Sequence, residues 1–181
     1  MTDIEQRLAR LESTVQRLAD IEDIRALRLR YHECVNRDRA AEIPDLFTDD
    51  AELDFGYLGR TRGRPKIAKF FAALPVLLDF VKQFIHNHVV VVDGDRATGV
   101  SYLEAKSVSR GTAYLVAGRY DDVCVRTPAG WRFASMKFEP YFTVPHDQSW
   151  AQADVLQMGR RPRAPTAPTA GQKPERGDAA G

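Results

Sequence analysis

The stretch that decides the fold runs from Phe84 to Phe142: FIHNHVVVVDGDRATGVSYLEAKSVSRGTAYLVAGRYDDVCVRTPAGWRFASMKFEPYF. It contains four strand-like segments, residues 84–92, 97–107, 112–126 and 131–142. Short turn sequences rich in Gly, Asp and Pro separate them. Long strands joined by tight turns predict a curved antiparallel sheet.

Helical periodicity precedes this sheet. Apolar residues at spacings of three and four predict one helix over residues 21–36 and another over residues 65–79. Between them, alternation over residues 51–55 predicts a first strand, and residues 56–63 a hairpin. Helices followed by a strongly bent sheet predict an α+β cone, with the helices closing one side and a pocket at the wide end.

An amphipathic helix over residues 1–20 comes before the domain. Its apolar residues alternate gaps of four and three in an a/d heptad stripe: Ile4, Leu8, Leu11, Val15 and Leu18. Two interpretations fit this stripe equally well. The helix either folds back onto its own domain or forms a coiled-coil or subunit contact. Its connection to the next helix is also open: the two are either separate helices or one helix with a kink.

Composition excludes several classes of protein. A chain of 181 residues with a net charge of +1 is the size of one globular domain and lacks the basic excess of nucleic-acid-binding proteins. The longest apolar run, residues 89–92, is too short to cross a bilayer, so we expect a cytoplasmic protein without membrane contact. The Pro/Ala/Gly-rich residues 160–181 predict a disordered tail.

Metal and redox chemistry have little support in the sequence. Cys34 and Cys124 lack the short spacings that hold zinc or a redox disulfide, and we expect both to be reduced core residues. His86 and His88 share one side of an ideal strand, but no third ligand accompanies them. We therefore expect no metal and no cofactor.

Several local strings resemble the SnoaL-like family of NTF2-like proteins, which includes scytalone dehydratase, bile-acid 7-dehydratase and hexachlorocyclohexane dehydrochlorinase. The resemblance covers residues 21–142 within a domain of residues 21–150. The strings are Ile21-Glu22-Asp23-Ile24, Arg30-Tyr31, Leu46 to Ala51, His86-Asn87-His88, Val92 to Ala97, Gly118-Arg119-Tyr120 and Gly130 to Phe133.

The resemblance implies a set of site residues. In the family's dehydratases an aspartate on the first domain helix pairs with a strand histidine, and a tyrosine polarises the substrate. Tyr31 matches the tyrosine, whereas Asn36 stands at the aspartate position. Depending on the register, the histidine position falls on Gln83 or His86.

From this match we expect a cofactor-independent enzyme that dehydrates a small hydrophobic, polyketide-, steroid- or terpenoid-like substrate. Tyr31 is the predicted polariser, His86 the base and Asn36 the orienting group. Gln83 and Asn87 are predicted to bind the substrate, as are the two strand carboxylates Asp54 and Glu104, which would serve as reserve catalysts if they faced the pocket.

Other functions remain open at this point. The same pocket could serve an isomerase, a cyclase or an epoxide hydrolase. A binder that has lost the dyad is supported by the amides at Asn36 and Gln83, and a filled interior would favour an interaction scaffold. Glu139 and His146 are predicted at the rim. Exposed sheet edges and the N-terminal stripe predict a homo-oligomer, a trimer or a dimer.

Overall fold

The structure, a computed structural model, describes residues 2–148. The predicted tail over residues 160–181 lies outside this range. The main elements are helices α1 (Asp3–Asn36) and α2 (Arg64–Leu77) and strands β1 (Phe47–Asp54), β2 (Arg60–Arg62), β3 (Phe80–Asp93), β4 (Arg96–Ser109), β5 (Thr112–Thr127) and β6 (Gly130–Pro145). Short 3-10 segments at Ala40–Leu46 and Gly56–Leu58 complete them.

The six strands form one sheet in the order β2-β1-β6-β5-β4-β3. Strands β3 to β6 pair antiparallel, as predicted, and β1 and β2 form the predicted hairpin. The complete sheet is mixed, because β1 pairs with β6 in parallel. β6 is the last strand of the antiparallel series, so one of its edges is left unpaired by that series. β1, which comes earlier in the chain, pairs with this edge and runs in the same direction as β6.

Helix α1 is one continuous element of 34 residues, so the two helical patterns predicted over residues 1–36 belong to a single helix. No Pro or Gly interrupts it. Its N-terminus carries a capping box, in which the Glu5 amide donates to Thr2 and the Thr2 amide donates to Glu5. Its C-terminal half packs across the sheet, whereas residues 2–19 are exposed.

Aromatic rings fill the space between the helices and the sheet. Tyr31, Phe71 and Tyr120 are each at most 1% exposed, and Phe55 and Phe138 lie beside them. Their centroids are separated by 4.9 to 6.1 Å, mostly edge to face. The predicted pocket region is therefore occupied by side chains that define one tightly packed core.

A β-bulge divides β3 into two halves. Asn87 has a φ of 43°, and the pairing register with β4 shifts between His86 and Val89. Before the bulge Ile85 faces the core, and after it His88 does. The expectation that His86 and His88 share one side is therefore wrong, because the extra residue reverses the alternation between them.

A polar cluster anchors α1 where the helix meets the domain. Arg126 donates two hydrogen bonds of 2.7 Å to the Asp20 carboxylate, and the Trp131 indole donates a third of 3.1 Å. The Arg126 hydrogen bonds are the main cause that lowers the pKa of Asp20 to about 2. Asp20 is the first buried residue of the helix, so this cluster fixes the point from which the exposed half of α1 extends.

We predict that Asp20→Asn destabilises the fold by about 1 to 2 kcal/mol, because it removes the charge that three donors share. Urea unfolding monitored by Trp131 fluorescence measures the loss. Asp23→Asn, an exposed carboxylate three residues later on the same helix, is the matched control and should unfold like the parent. Equal midpoints for both variants would show that the cluster adds nothing to stability.

Candidate functional site

A buried ion pair lies at the centre of the interior. The Arg28 guanidinium, on α1, contacts the Asp122 carboxylate, on β5, with an Nε–Oδ2 distance of 3.1 Å. Arg28 is 0% and Asp122 3% exposed. The guanidinium also lies over the rings of Tyr120 and Phe133, at 4.3 and 4.8 Å from their centroids. Charge and ring contacts together hold Arg28 rigidly inside the protein.

His32 lies one turn further along the same face of α1. Its Nδ1 is 2.8 Å from Oε1 of Gln83, an inward-facing residue of β3. An amide oxygen can only accept, so Nδ1 carries the proton and Nε2 has a free lone pair. Nε2 is buried and has no hydrogen-bond partner among residues 2–148. Burial, followed by the nearby Arg28 charge, lowers the pKa of His32 to about 3, so the ring is neutral at physiological pH.

Two tyrosine rings flank His32. The His32 ring is 5.0 Å from the Tyr31 ring and 5.7 Å from the Tyr120 ring, in both cases edge to face. Burial and the contact with Tyr120 raise the pKa of Tyr31 well above its ordinary value, and burial raises the pKa of Tyr120 to about 12. Both phenols therefore stay protonated and act as hydrogen-bond donors rather than as proton acceptors.

Further buried polar atoms without partners surround Asp122. Within the described part of the chain they are both ring nitrogens of His88, Oγ of Ser101 and Oδ1 of Asp122. A Cβ on Gly99, the β4 residue that pairs with Asp122, would lie 2.8 Å from His88 Nε2. Gly99 therefore makes room for His88. Burial, followed by the charges of Arg28 and Arg25, lowers the pKa of His88 to about 4.

A cleft of about 480 Å³ leads to this polar interior from the side of α1 and β3. Its lining includes Arg25 and Arg28 from the helix and Ile85, Asn87 and His88 from the strand. The β3 bulge shapes the cleft, because it turns His88 inward next to the helix. The cleft can accept a small molecule that offers a hydrogen-bonding group to the neutral imidazole of His88.

The structure places the predicted residues in three different environments. Tyr31 lies in the interior, as described. Asn36 instead joins α1 to the edge strand: its Nδ2 donates to the Gln83 carbonyl at 2.8 Å, and its Oδ1 accepts from the Gln83 amide at 2.7 Å. An aspartate could not donate the first of these bonds. Both ends of the Asn36 side chain are committed to backbone.

The predicted base lies on the opposite face of the sheet. His86 is exposed and pairs in register with Tyr102, and its Nε2 is 3.7 Å from Glu104, also exposed. Both residues line a smaller cleft of about 390 Å³, together with Tyr141. Tyr31, Asn36 and His86 therefore do not form one constellation, because the sheet separates His86 from Tyr31.

The remaining candidates have local structural contacts. Asp54 accepts from the Gly56 amide at 3.0 Å and from Arg60 at 2.9 Å, which stabilises the turn after β1. Asn87 is exposed and occupies the bulge, where its positive φ suits an asparagine. The rim candidates Glu139 and His146 lie on β6 and just after it; Glu139 is 3.9 Å from Lys137, and the His146 amide donates to Ala113.

Sequence reasoning missed three residues of the interior, Arg28, His32 and Asp122. The signal for the first two was present: Arg28 and His32 occupy the apolar face of α1, on which Leu27 and Tyr31 also lie. A charged residue on the buried side of a helix requires a partner. The sequence does not reveal that the partner is Asp122, which is 94 residues away.

A metal or a membrane span finds no support in the part of the chain that the structure describes. Residues 2–148 contain no group of three or more His, Cys, Asp or Glu side chains arranged to hold a metal ion. Neither helix in that range is both long and apolar enough to span a bilayer.

The helices, the curved sheet and the polar interior define a small α+β protein of the NTF2-like kind. The SnoaL-like domain model matches residues 16–137, more than half of the sequence, and the chain belongs to this family. An uncharacterised protein of Mycobacterium tuberculosis, Rv2910c, is 32% identical over 123 residues, which is 66% of this chain and 84% of that protein.

Proteins named as a dehydratase and as a dehydrochlorinase have solved structures with the same fold. A candidate scytalone dehydratase from Novosphingobium aromaticivorans is similar with a TM-score of 0.68 and 17% identity, over 75% of this chain and 93% of its own. A hexachlorocyclohexane dehydrochlorinase from Novosphingobium barchaimii is similar with a TM-score of 0.69 and 16% identity, over 75% and 96%. The fold therefore has relatives among dehydratases and dehydrochlorinases.

We predict that acid destabilises the protein through His32. Its pKa is about 3 when folded and near 6.5 when unfolded, so the unfolded chain binds more protons between these values. The contribution of His32 is complete above pH 6.5 and falls by about 1.4 kcal/mol per pH unit below it. His32→Gln, which cannot titrate, should show a shallower slope of unfolding free energy between pH 7 and 4.5.

Urea titrations at several pH values measure both slopes. Carboxylates contribute to both proteins, so the difference between the slopes isolates His32. His86→Gln, an exposed site, is the control and should keep the parent slope. If His32→Gln and the parent lost stability in parallel, the His32 ring would not be held neutral by burial.

Proposed function

We propose that this protein is a cofactor-independent enzyme that transfers a proton on a small hydrophobic molecule, with dehydration or a related elimination as its reaction. The observation that carries the proposal is the neutral His32 ring, whose Nε2 has no hydrogen-bond partner within residues 2–148. The rings of Tyr31 and Tyr120 pack against this imidazole. The substrate class is a polyketide-, steroid- or terpenoid-like molecule with a hydroxyl or a carbonyl group.

We assign the role of base to His32 instead of His86. His32 is fixed by the hydrogen bond from Nδ1 to Gln83, so its lone pair has a defined direction. His86 is exposed on the other face of the sheet, where water competes with a substrate for contact with the imidazole. The Gln83 side chain then orients the imidazole, a role that a carboxylate takes in the family's dehydratases.

The low pKa of His32 determines where the abstracted proton goes. Nε2 takes the proton from carbon as the C–O bond breaks, and the resulting imidazolium is a strong acid with a pKa of about 3. It therefore returns the same proton to the departing hydroxyl group, which leaves as water. The protein ends the cycle in its starting protonation state, so no external acid or base is needed.

The tyrosines supply the second element of catalysis. Because Tyr31 and Tyr120 stay protonated and hydrogen-bond to each other, one hydroxyl of the pair can donate to a substrate carbonyl and stabilise an enolate-like charge. Donors in a buried site act more strongly than donors in water. An isomerase or a cyclase would use the same proton abstraction, so these subclasses differ from elimination only in where the proton returns.

A substrate would approach His32 from the cleft between α1 and β3, whose lining includes Arg28 but not His32. Arg28, which lines the cleft, lies four residues before His32 on the same helix face, and Ile85 of β3 lies opposite. A substrate with an apolar body fits between these walls. Because aromatic rings fill the interior, binding at His32 requires side chains of the core to change position.

A second candidate function, non-catalytic binding of a small molecule, is favoured by one observation. If the family's histidine position is matched to Gln83, both positions of the Asp-His dyad hold amides in this chain. Both ends of the Asn36 side chain are hydrogen-bonded to the backbone of Gln83. A protein that kept the interior and lost the dyad would bind without conversion.

We predict that His32→Ala lowers kcat by about 10² to 10⁴, the range for loss of a general base. Substrates are found by thermal shift with hydrophobic alcohols, ketones and steroids, followed by mass spectrometry for loss of water or rearrangement. His86→Ala is the matched control and should retain activity within about twofold, because it lies on the other face of the sheet.

Each outcome separates the candidate functions. Stabilisation with an altered product establishes the enzyme, and stabilisation without conversion favours the binder. Stabilisation by no compound favours the interaction scaffold. If His86→Ala abolished turnover and His32→Ala did not, the assignment of the base would be wrong even though the protein was an enzyme.

A further inference from the structure

The N-terminal half of α1 is an exposed arm. Its five stripe residues have exposed fractions of 53 to 75%: Ile4, Leu8, Leu11, Val15 and Leu18. None of them packs against the domain, so the interpretation that this helix folds back does not hold. At 1.5 Å per residue, the arm from Asp3 to Leu18 is about 24 Å long.

Both ends of the arm are fixed. The Thr2–Glu5 capping box closes its N-terminus, and the cluster of Asp20 with Arg126 and Trp131 anchors it to the domain. The exposed stripe gains no burial in the single chain. A helix of this length without tertiary contacts is marginal in water, so its apolar face requires a partner.

We propose that the arm pairs with the same arm of a second copy in a parallel two-stranded coiled coil. In the heptad frame, Ile4, Leu11 and Leu18 occupy d, and Leu8 and Val15 occupy a. Val15 at a, between Leu11 and Leu18 at d, has the β-branched and leucine pairing that favours two strands, whereas Leu8 at a and Ile4 at d do not follow it. The proposal concerns assembly and does not depend on the chemistry proposed for the interior.

Charge selects the parallel orientation. Arg7 occupies g and Glu12 the following e, so a parallel pair brings Arg7 of each copy next to Glu12 of the other. In an antiparallel pair e faces e, and the registers that preserve the stripe bring Glu12 against Glu12 or Glu5. The arm is therefore complementary to a parallel copy of itself and repels an antiparallel one.

Sedimentation equilibrium of the full chain tests the pairing. The parent should be a dimer, and Leu11→Glu should be a monomer, because it places two charges in the seam. The folded domain should survive this change, since Leu11 is 63% exposed; near-UV circular dichroism checks this. A monomeric parent at about 0.2 mM, well above the micromolar range of weak complexes, would overturn the proposal. So would a dimer that persists in Leu11→Glu, since another surface would then assemble the chain.

Charge reversal tests the register. Arg7→Glu should weaken the dimer about tenfold by placing like charges together, and adding Glu12→Arg in the same chain should restore it. Arg10→Glu makes the same charge change at c, away from the partner, and is the matched control. Equal weakening by Arg7→Glu and Arg10→Glu would contradict the proposed contact.

A disulfide tests the orientation. In the parallel dimer residue 4 lies opposite residue 4, so Ile4→Cys should cross-link two chains under mild oxidation. The native Cys34 and Cys124 are buried and do not interfere. Gln6→Cys, at the outward f position, is the control and should stay reduced. A dimer that Ile4→Cys fails to cross-link would refute the parallel arrangement.

Discussion

The contact between Arg28 and Asp122 is the constraint on which the interior depends. It ties the middle of α1 to the central strand β5. A buried charge without its partner costs several kcal/mol, so the helix cannot rotate or slide without losing that partner. The neighbouring residues on the same helix face, Tyr31 and His32, are thereby held at fixed positions over the sheet. The geometry of the candidate site is a consequence of this one ion pair.

The same ion pair accounts for the electrostatics around it. The Arg28 charge adds to burial in keeping His32 and His88 neutral. Neutral imidazoles can lie close together in an apolar interior where two imidazolium ions would repel each other. Within residues 2–148 this interior is polar, and the charge of Arg28 is balanced by Asp122. Such an environment suits reactions in which charge appears only transiently.

Much of this architecture can be read from local sequence. Periods of two and of about 3.6 identify the strands and both helices, and the turns define the hairpins, because these signals come from burial on one face. The parallel pairing of β1 with β6 cannot be read this way, since it joins segments about 85 residues apart through tertiary packing. The family resemblance correctly indicated the fold.

The site was less accessible to sequence reasoning. The bulge at Asn87 reverses the alternation of β3, and this single residue places His88 in the interior while His86 stays on the outer face. A bulge has no reliable signature in one sequence, although an exposed asparagine between two histidines suits its positive φ. The link between Arg28 and Asp122 likewise follows from the fold and not from spacing.

The two hydrogen bonds between Asn36 and Gln83 also cover one position of a sheet edge. Strand β3 is an edge of the sheet, and its outward N–H and C=O groups could template a strand from another molecule. By both donating to and accepting from one edge residue, the Asn36 amide occupies these groups as a neighbouring strand would. The helix end thus protects the edge at Gln83 from pairing with another strand, and this role of Asn36 is independent of any substrate.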